Sequence, residues 1–200
     1  MTKLLVLYYS SYGHVAQLAE AIAEGARNGG AEVDIRRVPE TAPKEIVEQA
    51  GFRANDDHKV IGAPDEMADY DGIVVGTPTR YGRMSGQMAA FWDTTGGLWK
   101  KGALVGKAGA AFTSTGSQHG GQEMTQFSTI TNLMHMGMVI VPLDYGYRGL
   151  LAMDEMTGGS PYGASTVAGA DGSRQPSENE LGACRYHGEK IAQVAAKLAG

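Results

Sequence analysis

A chain of 200 residues is long enough to bury one α/β core. Its hydrophobic content of 42% and charged content of 20% are those of an ordinary globular protein, and a net charge of -5 without any block of like charges argues against a nucleic-acid binder. A single cysteine, Cys184, excludes an internal disulfide and any CxxC pair for zinc or thiol redox work, which points to a reducing, cytoplasmic home.

Lys3 to Tyr9 is a short apolar run ended by a polar turn, the pattern of a buried strand. It is far below the roughly 18 residues of a membrane span, and no small-residue cleavage site follows it. Val15, Leu18, Ala19, Ile22 and Ala26 then recur at helical spacing, predicting a helix over 15–28 that Gly29 and Gly30 stop. Strands are predicted at 32–38, 71–76, 107–113 and 138–141, the last ended by Pro142. Helices are predicted near 85–95, 121–135 and 178–199. In the last of these Leu181, Cys184, Ile191, Val194 and Leu198 face inward, and Ser177 with Glu180 reads as a capping box. This alternation predicts one α/β domain, 1–200, with five parallel strands covered by helices on both faces.

Two stretches exceed what such a domain needs. One is an insertion at about 39–70, with Pro43 and Pro64 near its ends; the other is a long loop at about 144–177 that holds seven glycines. A long loop after the last strand hangs over the carboxyl end of the sheet, where open α/β folds bind ligands.

Three loops that follow strands have binding character. The first, Ser10-Ser11-Tyr12-Gly13-His14-Val15, places hydroxyls and a glycine at a helix N-terminus, which suits one terminal monophosphate. It is neither a P-loop nor a GxGxxG fingerprint, and the same residues also make plain N-caps, so both readings stand. The second runs from Gly76 to Met88, with Thr79 and Arg80 as donors and Tyr81 as a flat face. The third, Ser114-Thr115-Gly116-Ser117-Gln118-His119, is again rich in glycine, hydroxyl and amide groups. Flexible backbone and aimed N–H donors are what a flat heteroaromatic ring requires, although ordinary turn chemistry uses the same residues. Neither metal-ligand spacing nor a GxSxG nucleophile motif occurs, so no metal is expected.

Longer strings carry a resemblance. YSSYGH (9–14), GTPTRYGRMSGQM (76–88), TTGGLW (94–99), HGGQE (119–123), HMGMVIVP (135–142), GGSPYGAS (158–165) and ADGSRQPS (170–177) resemble the WrbA family of FMN-dependent NAD(P)H:quinone oxidoreductases. The likeness runs from about residue 3 to residue 198 and is weakest in 39–70. It implies a flavodoxin-like doubly wound sheet of order 2-1-3-4-5. It also implies FMN as cofactor, its phosphate on Ser10 to Val15 and its ring against Thr79, Arg80, Tyr81 and Ser114 to His119. The third loop is one residue longer than in many members, reading Ser-Gln-His before Gly120. By the same resemblance Tyr12 contacts the nicotinamide nucleotide, Trp99 stacks near the quinone, His135 faces the flavin from a neighbouring subunit, and Tyr145 lines the same cavity. The family is tetrameric.

Taken without the family, Trp99 in its turn-like polar setting is a surface platform, an interface anchor or a residue packed under the loop. A lone histidine such as His135, between two methionines near a helix end, is more often structural. The expected activity is two-electron transfer from NADH or NADPH to a quinone by a ping-pong cycle, with the cofactor supplying the chemistry. Alternatives are a one-electron flavodoxin carrier or a regulatory FMN-binding protein, since fold alone does not fix function.

Overall fold

The computed structural model describes residues 1–53 and 58–200. Residues 54–57, inside the expected insertion, therefore lie outside the described residues. The first strand, β1 (Lys3–Tyr8), is central and pairs in parallel with both β2 (Glu32–Arg37) and β3 (Gly72–Pro78). Its continuous apolar sequence follows from that position. Leu4, Val6 and Tyr8 enter the core on one face, Leu5 and Leu7 the core on the other. β4 (Ala108–Thr115), buried along its whole length, extends the sheet beyond β3, and β5 (Val139–Ile140) pairs with its first residues. The order is β2-β1-β3-β4-β5, as the resemblance implies.

The fifth position departs from the five-strand expectation in one respect. A sixth piece, β6 (Ser165–Val167), pairs in parallel with Thr113–Thr115, on the residues of β4 that lie beyond β5. Pro142 lacks the N–H that would continue β5, so the chain leaves the sheet and later returns as β6 to complete the row. The stretch expected to be one loop at 144–177 is thus partly sheet, and it also contains a short 3₁₀ turn at Arg148–Leu151.

Two helices, α1 (His14–Asn28) and α6 (Glu178–Leu198), cover one face. They pack closely because glycines stand at the contact: a Cβ on Gly25 would overlap the Arg185 backbone, and one on Gly188 the Ile22 carbonyl. Between them in sequence lie α2 (Lys44–Gln49), α3 (Gly86–Asp93), α4 (Gly96–Lys101) and α5 (Gln122–His135). Met88, Trp92, Leu98 and Leu133 from α3, α4 and α5 fill the opposite face against Leu5, Leu7, Ile73 and Val75. Neither α2 nor α4 was expected: each spans about one and a half turns, too short for a periodic stripe to show. In α6 Cys184 and Ile191 are fully buried, but Leu198 is 44% exposed in the last turn, and its expected inward place is taken by Ala195.

Candidate functional site

The three loops expected to bind converge at the carboxyl end of the sheet. In the first, Gly13 sits at φ 94°, a left-handed conformation that a residue with a Cβ adopts only under strain. Its N–H donates to the Ser10 hydroxyl at 2.9 Å. The N–H groups of Tyr12, His14 and Val15, at the start of α1, meet no acceptor among the described residues. His14 and Val15 are nonetheless buried and Tyr12 is half-exposed, so these donors at the helix start are poised for an anion. Val15 itself is a core side chain, 1% exposed, and contributes only backbone.

Loop two is bolted to its neighbours. The Arg80 guanidinium donates from Nη2 to the Ser11 hydroxyl at 3.0 Å and from Nη1 to the Thr79 carbonyl at 2.9 Å. Thr79 N–H donates to the Ser114 carbonyl, and the Thr125 hydroxyl on α5 reaches the Thr79 hydroxyl at 2.8 Å. Between Arg80 and Arg83 the chain reverses through a two-way backbone pair, with Tyr81 at φ 56° and its side chain fully exposed. In loop three the Thr115 hydroxyl donates to the Ser117 carbonyl, while Gly116 to His119 are exposed and their N–H groups have no acceptor among the described residues.

A cavity of about 560 Å³ opens between these loops, lined by Tyr12, His14, Thr79, Arg80 and Ser114 to Gly116. Two further walls complete it, the first from the long loop expected to hang over this end of the sheet. One is Ala168 to Gly172, held by Ala168 N–H to the Thr115 carbonyl at 2.7 Å and by His14 Nε2–H to the Arg174 carbonyl at 3.1 Å. The other is Gly51 and Arg53, from the insertion. The first rests on a buried carboxylate. Glu180, completely enclosed, accepts from Gly158 N–H, Val167 N–H, the Thr166 hydroxyl, Ser177 N–H and the Arg174 guanidinium. Its capping box was legible in the sequence; its grip on the loop was not, because those donors lie up to 22 residues upstream.

The remaining expected residues are dispersed. Gln118 and His119 line a second cleft of about 400 Å³ on the far side of loop three, with Met124 and Gly158 to Ser160. Ser117 and Tyr81 line neither cavity. Tyr145 follows β5 at the carboxyl end and is 56% exposed. His135 ends α5, whose 14 residues carry it about 20 Å from the loops toward the amino end of the sheet. Trp99, 63% exposed, lies on α4 just before the chain enters β4, also at the amino end. Within one chain, then, the structure brings together the first two loops and the start of the third, and leaves His135 and Trp99 at the opposite pole.

Charges near the cavity serve to fix loops. Burial pushes the Tyr9 hydroxyl well above its ordinary range, and it donates to Glu40 at 2.6 Å. Burial would raise Glu40 too, but Tyr9, Ala42 N–H, the Gln87 amide and Thr41 N–H together hold its carboxyl below the usual value. In the cavity wall, Asp171 accepts from the Ser173 N–H and hydroxyl, which together hold its carboxyl below the usual value.

This fold and its cluster of carboxyl-end loops define a flavodoxin-like protein. A WrbA-like flavodoxin from Agrobacterium tumefaciens superposes with a TM-score of 0.70 at 23% identity, over 98% of this chain and 99% of that one. A flavodoxin from the domain Archaea superposes with a TM-score of 0.61 at 22% identity over the full length of both. A profile of the NADPH-dependent FMN reductase family matches residues 2–148. Over 200 residues, all of both chains, this sequence is 63% identical to an NAD(P)H dehydrogenase (quinone) of Caulobacter vibrioides and 61% identical to one of Methylocella silvestris. The chain belongs to the NADPH-dependent FMN reductase family, together with the NAD(P)H dehydrogenases (quinone) that match it along its whole length.

Proposed function

We propose that this chain is an FMN-dependent oxidoreductase that transfers two electrons from NADH or NADPH to quinones. The cavity over α1 carries the reading. Its volume suits a cofactor site, and the residues present fit FMN. Unpaired N–H groups of Tyr12, His14 and Val15 and the hydroxyls of Ser10 and Ser11 form an anion cradle for one phosphate. Beyond it, Thr79, Arg80 and Gly116, whose N–H has no acceptor among the described residues, line the same cavity where a ring would be held.

FMN held by these loops would supply two-electron redox chemistry between the nicotinamide donor and the quinone. The chain orients, screens and donates hydrogen bonds. The Gly116 N–H, without an acceptor among the described residues, would stabilise negative charge on the ring. Tyr12, half-exposed at the mouth, meets the nicotinamide nucleotide. Donor and acceptor use the same open face in turn, which gives ping-pong kinetics.

His135, Trp99 and Tyr145 take part through assembly. His135 and Trp99 stand at the pole away from their own chain's cavity, so they serve the cavity of another copy. Met124, Phe127 and Met134 form an exposed apolar stripe at helical spacing along α5, ending beside His135. This supports a homotetramer in which Trp99 stacks on the quinone and His135 or Tyr145 donates to its oxygen. Among the described residues no helix is long and apolar enough to cross a membrane, and a cytoplasmic location suits a protein fed by NADH or NADPH.

Steady-state kinetics test the reading. NAD(P)H oxidation should require both FMN and a quinone, with parallel double-reciprocal lines. Intersecting lines would exclude a shared face, and turnover independent of FMN would overturn the assignment.

A further inference from the structure

We propose that Arg53 is a phosphate-recognition residue, whose guanidinium completes the anion site at the amino end of α1 and makes the chain prefer a phosphorylated flavin to riboflavin. This rests on the FMN reading above and assigns a role to a segment that the three-loop description leaves out.

Arg53 belongs to the insertion, yet its surroundings belong to loop one. Its own N–H donates to the Ser11 carbonyl at 2.9 Å. The preceding residue, Phe52, packs edge-to-face on Tyr12, with ring centroids 5.4 Å apart and planes at 87°. These two contacts, one polar and one aromatic, pin the insertion onto the first loop. The Arg53 side chain then runs across Gly13: a Cβ at position 13 would stand 2.8 Å from Nη1 and 3.4 Å from Cδ. Gly13 is needed for its left-handed φ, and its lack of a Cβ leaves room for the exposed guanidinium to lie against the backbone.

The electrostatics of this placement call for an anion. The guanidinium fronts the positive end of the α1 macrodipole, beside N–H groups that have no acceptor. Among the described residues no carboxylate forms an ion pair with it. Arg80, the other arginine of the cavity, already spends two nitrogens on Thr79 and Ser11. Arg53 keeps its planar fork available, and that fork matches two oxygens of a phosphate monoester. A dianion placed here meets helix N–H groups from below and the fork from above.

The test uses the full chain freed of flavin and titrated with FMN and with riboflavin, followed by quenching of flavin fluorescence. Wild type should bind FMN far more tightly than riboflavin. Arg53→Ala should weaken FMN about tenfold while leaving riboflavin affinity unchanged, which also shows that the ring site is intact. Arg53→Lys should fall between, and added salt should narrow the gap between wild type and Arg53→Ala. Equal weakening of both flavins would overturn the proposal and reduce Arg53 to a packing wall. Unchanged affinity for both flavins, with a raised KM for NADPH but not NADH, would overturn it in favour of the donor's 2′-phosphate. A wild-type chain that binds neither flavin would overturn the cofactor reading itself, an outcome distinct from loss of phosphate selectivity alone.

Discussion

His187 and Cys184 share the buried face of α6, and both are chemically silent by virtue of burial. Burial outweighs every neighbouring charge at Cys184 and lifts its thiol far above the ordinary range, so the thiolate that would react is not formed in the folded chain. At His187, Nε2–H donates to the Val141 carbonyl at 2.9 Å while Nδ1 has no partner. Burial overrides that hydrogen bond and pushes the imidazole from 6.5 down to about 4. The unfolded chain binds the extra proton first, so this group's stabilisation is complete above pH 6.5 and is lost as pH falls toward 4. The loss amounts to about 3 kcal/mol. Urea unfolding at pH 7 and at pH 4.5 should therefore separate wild type from His187→Gln, the variant losing less stability between the two. Equal losses would mean that the imidazole titrates freely. The apolar spacing of α6 was legible in its sequence at Cys184 and Ile191, but a histidine carries no sign of its own burial.

Glu180 ties three elements together: the start of α6, the strand β6, and the wall made by 168–172. Carboxylate and guanidinium meet at 2.9 Å, and the second Arg174 nitrogen holds the Met156 carbonyl. Glu180→Gln leaves Arg174 facing a neutral amide in a closed site and replaces one of the two acceptor oxygens, each holding several donors, by an NH2 that cannot accept. A loss of about 3 kcal/mol is expected, read as a lowered Tm, together with weaker FMN binding because the 168–172 wall loosens. Unchanged FMN affinity in a destabilised variant would separate the wall from the cofactor site. The element scale is also where sequence reading succeeds and stops. Continuous apolar runs identify β1, β3 and β4 because both faces are covered. The two-residue β5 lies inside the strand predicted at 138–141, but the three-residue β6 is defined by its pairing with β4, a tertiary fact that its short string does not announce. Loop residues at the carboxyl ends, and the overhang of the 144–177 stretch, were identifiable by type and place, whereas Arg53 joins the cavity only through chain folding between distant segments.

Assembly is the scale at which the proposed site would be completed. If the α5 stripe joins copies, Met134→Glu should shift sedimentation toward smaller species and lower quinone turnover in parallel, with FMN binding retained. A variant that dissociates yet turns over normally would confine catalysis to one chain. Trp99→Ala removes an exposed ring, so Tm should hold while KM for the quinone rises several-fold; an unchanged KM would remove Trp99 from the quinone site. The measurement that bears most directly on the whole account is an anaerobic titration of the FMN-loaded protein. NADH or NADPH should bleach the flavin absorbance at one equivalent, and one equivalent of benzoquinone should restore it in full. Bound FMN that neither nucleotide bleaches would contradict the account and leave the chain an electron carrier.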